Sequence, residues 1–259
     1  MSGAEMSRSG SPAALSGADP VRVRVPVQTV PAGSGYPLYE FALTAALMFA
    51  VVTIIRWVLD PASPLVLENF RLALLAVGAL TGALVFGLLR SPWGRCSGAH
   101  MNPAVTLALW RLRAFPGRGV TAYVIAQLCG SVAGTVLARL VWGPAVARVG
   151  YGVAAAAPSW SGWTVFAAEG GCLVVVTLMI GFFLAHPSRG RWFPAALGLL
   201  VCVIIAALGP LSGGAANPAR QFGPALMSGA TAGLWIYLAA PVLGAVLGAG
   251  AHHRLRRAR

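Results

Sequence analysis

Six apolar stretches dominate the sequence, each about as long as a bilayer is thick: Leu38–Val58, Phe70–Leu89, Val120–Trp142, Trp163–Ala185, Trp192–Pro210 and Thr231–Ala251. About 20 apolar residues in a helix cross a hydrocarbon core, and a helix satisfies its own backbone polar groups there. A soluble domain carries about 25% charged residues; this chain carries 10%, with 58% hydrophobic residues and a mean hydropathy of +0.76. No wettable surface can cover such a composition. The expected fold class is therefore an all-α membrane protein, with the lipid bilayer as its first partner.

The net charge of +13 resides on 19 arginines, with no lysine. A nucleic-acid-binding surface would gather such charge on one soluble face. Here it sits between and beside the spans, and no nucleic-acid partner is expected. With six crossings, Arg8, Arg22, Arg24, Arg90, Arg95, Arg111, Arg113, Arg118, Arg189, Arg191, Arg254, Arg256, Arg257 and Arg259 fall on one side. Only Arg56, Arg71, Arg139 and Arg148 flank the other, so the positive-inside rule places both termini in the cytoplasm. Residues 1–36 are rich in Ser, Gly, Ala and Pro without a signal-peptide core, and read as a disordered cytoplasmic tail. Residues 37–251 form one bundle and 252–259 a basic cytoplasmic tail. Cys96, Cys129, Cys172 and Cys202 show no CxxC or other ligand spacing, so no metal or cofactor is expected.

The chain also repeats itself. Two apolar segments too short to span, Asn102–Trp110 and Asn217–Met227, each begin with Asn-Pro-Ala: Asn102, Pro103, Ala104 and Asn217, Pro218, Ala219. Repeat 1 (about 38–142) and repeat 2 (about 163–251) each hold three spans, an odd number. The halves must therefore run in opposite senses, an arrangement that places a site near the bilayer midplane. Asn caps helices and Pro suits the first helical position, so each motif starts a half-helix whose positive end points to mid-membrane. Non-helical backbone at that depth survives only where protein buries it or where it lines a watery cavity. Gly98, Ala99, His100 and Met101, and Gly213, Gly214, Ala215 and Ala216, thus read as re-entrant loops with carbonyls facing a pore. Glu40 and Glu169 are ionisable groups inside apolar spans and demand a structural or functional reason. No nucleophile–base pairing is present, so no enzyme activity is expected.

With these residues in view, the chain resembles the aquaporin (major intrinsic protein) superfamily over about residues 38–251. SGAHMNPAV and GGAANPAR are similar to its two signature loops; EFxxT at Glu40, Glu169, AYVIAQLCG and WIYLAAPVLGAVLGA also match. The resemblance implies six tilted helices and two re-entrant half-helices meeting at Asn102 and Asn217, whose amides donate to a permeating molecule. It implies Arg220 and the half-helix ends opposing cations and protons, and a homotetramer in the cell membrane. It makes Glu40 and Glu169 acceptors for loop N–H groups; Gln127 reads as loop support, and His100 as a hydrogen-bonded wall residue with a pH gate as the alternative. Gly130/Gly134 and Gly244/Gly248 suit close helix packing.

Counted by offset from the two signature Asn residues, the family's outer selectivity filter falls on Gly82, Ile205, Gly214 and Arg220. Two glycines and an isoleucine imply an aperture wider and less hydrophilic than a strict water pore. Gln221 stands where glycerol channels typically carry Asp. Arg95 stands where many relatives have His. The run Phe115–Gln127 looks like the nodulin-26-like subgroup, some members of which pass metalloid acids. The expected function is a passive channel for water and/or small uncharged solutes (glycerol, urea, metalloid acids). A proton-coupled secondary transporter and a non-conducting structural member of the family remain the alternatives.

Overall fold

The structure, a computed structural model, describes residues 36–258. The N-terminal tail expected over 1–36 lies outside the described residues, except that Tyr36 already opens the first helix. The described residues form ten α-helices and no strand: α1 Tyr36–Leu59, α2 Phe70–Arg90, α3 Pro92–Ser97, α4 Pro103–Arg111, α5 Val120–Trp142, α6 Ala145–Arg148, α7 Gly162–Ala185, α8 Phe193–Leu208, α9 Pro218–Ser228 and α10 Leu234–Arg257.

Six helical segments are long and apolar enough to cross a membrane. Their outward faces carry large aliphatic side chains, among them Leu140, Leu199 and Leu247. A surface of that kind is matched by lipid, not water. Tryptophans ring both ends of the bundle. Trp93, Trp110 and Trp192 stand at the end where α1 begins and α10 finishes, and Trp163 and Trp235 at the other; indoles favour the membrane–water boundary.

The helices pack as an inverted duplicate. Helix α1 lies along α5, and α7 along α10, while the two short helices swap sides: α4 packs on α10 and α9 on α5. Glycines set the closest approaches. A Cβ on Gly130 would meet the Phe41 carbonyl oxygen at 2.5 Å, and Gly134 presses on the Ala45 backbone four residues on; α1 and α5 therefore run parallel. Gly244 and Gly248 do the same against Gly170 and the Val174 backbone. At the centre α2 crosses α8 antiparallel, with a Cβ on Gly78 placed 2.8 Å from the Cys202 carbonyl oxygen and Gly82 seated on the Gly198 backbone.

Two features depart from the sequence reading. Helix α10 continues through His252 to Arg257, so most of the expected basic tail is a polar helical turn. Helix α2 runs to Arg90 and stops at Ser91-Pro92, where the Ser91 hydroxyl accepts from the Gly94 N–H at 3.0 Å and starts α3.

Candidate functional site

The two loops preceding α4 and α9 are built alike. Gly98, Ala99 and Met101 have φ of 89°, 47° and 47°; their counterparts Gly213, Gly214 and Ala216 have 88°, 57° and 48°. For Ala99, Met101 and Ala216 this left-handed backbone is strained by about 1–2 kcal/mol each, and something must hold it.

The buried glutamates supply that hold. Glu40 Oε1 accepts from Ser97 Oγ at 2.7 Å and the His100 N–H at 3.0 Å, and Oε2 from the Met101 N–H at 2.7 Å and Gln127 Nε2 at 2.8 Å. Glu169 accepts from Ser212 Oγ at 2.7 Å and from the Ala215 and Ala216 N–H groups at 3.1 and 2.6 Å. Both glutamates are wholly buried. With the loop N–H groups turned to the glutamates, loop carbonyls face the other way. One tyrosine completes each frame: Tyr123 donates to the Ser97 carbonyl and Tyr237 to the Ser212 carbonyl, at 2.9 and 2.7 Å.

The loops deliver Asn102 and Asn217 to one point. Each has extended backbone, and each Oδ1 caps its own helix, accepting from the Ala104 and Ala219 N–H groups at 2.9 Å. Each amide nitrogen crosses to the other loop: Asn102 Nδ2 donates to the Ala216 carbonyl at 3.0 Å and Asn217 Nδ2 to the Met101 carbonyl at 2.9 Å. A primary amide has two N–H groups. One is spent on the cross-link, leaving one fixed in direction and available to a third molecule.

What surrounds this junction is a cavity of about 100 Å³, lined by both asparagines, Arg220, the loop residues and the apolar side chains of α1, α2, α7 and α8. A water needs roughly 10–15 Å³ by this measure, so the cavity has room for several small molecules. A second cavity of about 60 Å³ lies beside α3 and the start of α8, lined by Arg95, Gly98, Phe193 and Pro194; it shares Ala99, His100, Val105 and Leu197 with the first. His100 is bonded to Thr106 Oγ1 at 3.1 Å and packs on Phe115 and Tyr123, so it is part of the wall between the cavities.

Of the expected filter residues, Ile205, Gly214 and Arg220 line the first cavity. Gly82 does not: it lies in the α2–α8 crossing, where Gly198 fills the space a side chain would need. The residues that α2 turns to the cavity are Val77, Thr81 and Val85, one per turn. Counting back from Asn102 passed over the break at Ser91-Pro92 and the residues of α3, which lie between span and loop. Among the loop residues, Ala99, His100, Met101, Ala215 and Ala216 line the first cavity and Gly98 the second; Gly213 instead packs on Ala154.

Several supporting residues escaped the sequence reading. Ser131 on α5 donates to the Ala219 carbonyl and accepts from the Gly223 N–H at 2.9 Å, fastening α9. Gln221 bonds both backbone groups of Ala154 at 2.9 Å and accepts from Arg220 at 3.4 Å, tying the α5–α7 connection to α9. Tyr123 and Tyr237 had a usable signal, since each lies one turn into the last span of its repeat. Ser131 and Gln221 had none.

Comparison with known proteins agrees with this geometry. A family model described as Major intrinsic protein matches residues 35–252. Aquaporin AqpM of Methanothermobacter marburgensis is 40% identical over 184 residues, which cover 68% of this chain and 72% of that protein. Aquaporin NIP1-3 of Oryza sativa subsp. japonica is 38% identical over 168 residues, 63% of this chain and 56% of that one. Among solved structures, the X-ray structure of the aquaglyceroporin from Plasmodium falciparum superposes with a TM-score of 0.67 at 21% identity, covering 85% of this chain and 95% of that one.

Proposed function

The chain belongs to the major intrinsic protein family, whose members are channels and not enzymes, and from that premise we propose that its central passage conducts neutral solutes passively and rejects ions and protons. At the coarser level it is a multi-pass membrane channel for water and small solutes. The finer reading admits water together with small uncharged molecules of the glycerol, urea or metalloid-acid type. Its carrying observation is the crossed pair of asparagines, each with one N–H committed to the opposite loop and one left for a permeant.

A molecule at the junction exchanges its hydration for these donors and for loop carbonyls, so a neutral solute keeps its hydrogen bonds while moving. A cation meets the positive ends of α4 and α9 and the Arg220 guanidinium instead. Ile205, Gly214 and Arg220 line the same cavity as Val77, Thr81 and Val85 of α2, a largely apolar surface with one charge. Neither Glu40 nor Glu169 lines the cavity, and their oxygens are taken by loop donors. This favours a passive channel over proton-coupled transport. The reading includes a homotetramer in the cell membrane with both termini cytoplasmic, Arg95 and its neighbours then ringing the inner mouth.

Stopped-flow light scattering on proteoliposomes tests it. Water flux well above that of empty vesicles, with glycerol or urea also accelerated and no proton leak, is expected. Flux that depends on a pH gradient would replace the channel reading with a transporter, and no flux from correctly inserted protein would leave only a structural role.

A further inference from the structure

The outward face of α10 changes character along its length. Leu243, Leu247, Gly250, Arg254 and Arg257 follow one another at spacings of four, three, four and three residues, which keeps them on one side of the helix. All five are exposed, while Gly244 and Gly248 press the opposite side on α7. The face therefore runs from aliphatic side chains to guanidinium groups. Between them lies a notch, since a Cβ on Gly250 would meet nothing within 4 Å.

The end of α4 joins the charged part of this face. His253 Nε2 donates to the Arg111 carbonyl at 3.0 Å, which sets Arg111 and Arg113 beside the last turn of α10 with its Arg254, Arg256 and Arg257. Trp110 is exposed just before them, with the Arg111 guanidinium 5.9 Å from its ring centre. An exposed indole marks the headgroup level of a bilayer, so these arginines stand at the depth of lipid phosphates.

No side chain among the described residues answers their charge. The acidic ones are Glu40 and Glu169, buried under the loops, and Asp60 and Glu68, between α1 and α2 at the other end of the bundle. The carbonyl ends of α4 and α10 present roughly half a negative charge each, which offsets about one of the five guanidinium charges. Residues 1–35 bring Arg8, Arg22 and Arg24 against Glu5 and Asp19, and a second copy of this corner would bring only more arginine. The source of negative charge at that depth is the membrane itself.

We propose that the corner between the ends of α4 and α10 is a binding site for an anionic phospholipid, its phosphate held by Arg111, Arg113, Arg254, Arg256 and Arg257 and its acyl chain laid along Gly250 and Leu247. A guanidinium offers paired donors to phosphate oxygens, and a cluster of arginines just beyond a span attracts anionic headgroups. The site concerns the protein's hold on its membrane and is independent of what the passage conducts.

The test is native mass spectrometry of the detergent-solubilised full chain, titrated with phosphatidylglycerol or with phosphatidylcholine of the same acyl chains. The parent is expected to bind phosphatidylglycerol about ten-fold or more tightly than phosphatidylcholine. Each arginine near an anionic headgroup contributes about five-fold, so Arg254→Gln combined with Arg257→Gln should weaken phosphatidylglycerol by about 25-fold and leave phosphatidylcholine unchanged. Both side chains are exposed on the last helical turn, so this variant should fold. Arg71→Gln combined with Arg139→Gln removes the same charge from the other end and should bind as the parent does. Equal affinity of the parent for both lipids, unchanged binding after the Arg254 and Arg257 substitutions, or an equal loss after those at Arg71 and Arg139 would overturn the site. Displacement of the lipid by inorganic phosphate would overturn the lipid as its occupant in favour of a free anion.

Discussion

Replacing Glu169 by Gln tests whether a buried carboxylate shapes the second loop. In the parent, Oε1 serves Ser212 Oγ and the Ala215 N–H, while Oε2 serves the Ala216 N–H at 2.6 Å. Only donors converge on the group. A glutamine of the same length can keep its oxygen with Ser212 and Ala215, but then its NH₂ faces the Ala216 N–H. One charge-assisted bond disappears and two donors are left facing each other, a loss of roughly 2–5 kcal/mol. Ala216 is a non-glycine residue at φ 48°, so its peptide is the one with strain to release. Turning it moves the carbonyl that anchors Asn102 Nδ2, and the junction loosens from the far side. Two readouts follow. The melting midpoint of detergent-solubilised protein should drop by roughly 5–15 °C for a chain of this size, and water flux in proteoliposomes should fall with it. Glu169→Ala, which strands all three donors, should be worse and fail to accumulate as folded protein. A Glu169→Gln protein that melts within about 1 °C of the parent and conducts water equally would refute the claim that this carboxylate holds the loop.

Arg220→Val removes the guanidinium from the cavity lining; cation or proton leak in a pH-dye vesicle assay should rise, and an unchanged leak would refute its assigned role. Gly82→Ala places a methyl against the Gly198 backbone, so it should lower stability by about 1–3 kcal/mol, read as reduced thermal stability. A residue merely lining an aperture would leave stability alone and change only flux. Asp60, just beyond α1, is wholly buried and takes two hydrogen bonds from half-exposed Arg148 at 2.9 and 2.6 Å, which hold its carboxyl below the usual range. A depressed carboxyl stabilises fully above its unfolded value, about 3.9, and the benefit fades as pH falls through the lowered one. The melting-point difference between parent and Asp60→Asn should therefore be flat from pH 8 to 5 and shrink below about pH 4.

Hydropathy and repetition made most of the fold legible. The span Val120–Trp142 has the same bounds in sequence and structure, and the Asn-Pro pairs mark the starts of α4 and α9 because Asn caps and Pro at the first position are local chemistry. Glu40 and Glu169 stood out because an ionisable group in an apolar span needs partners. Gly82 went astray for an equally physical reason. Counting from Asn102 presumes a fixed path between span and loop, and Ser91-Pro92 ends α2 and adds α3 within that path. Side-chain orientation along α2 depends on helical phase, and a count of residues taken across a helix break does not carry that phase. Ser131 and Gln221 were invisible because their partners, Ala219, Gly223 and Ala154, are backbone groups far away in sequence.

The duplication itself separates scaffold from selectivity. Where both repeats carry the same device away from the passage, it shapes the backbone: Glu40 and Glu169, Tyr123 and Tyr237. Where corresponding places differ, the side chains lie on or beside the passage. Arg220 answers to Val105 and His100 to Ala215 in the aligned motifs, and all four line the cavity. A perfect inverted repeat would present the same chemistry to a solute at both mouths. The substitutions break that equality, leaving a guanidinium on one side of the junction and an imidazole braced by Phe115 and Tyr123 on the other. Selectivity in this chain should therefore respond to changes at the unmatched positions, while changes at the matched ones should act first on folding. Glu169→Gln and Arg220→Val fall on opposite sides of that division, and a melting shift from the second without a leak would erase it.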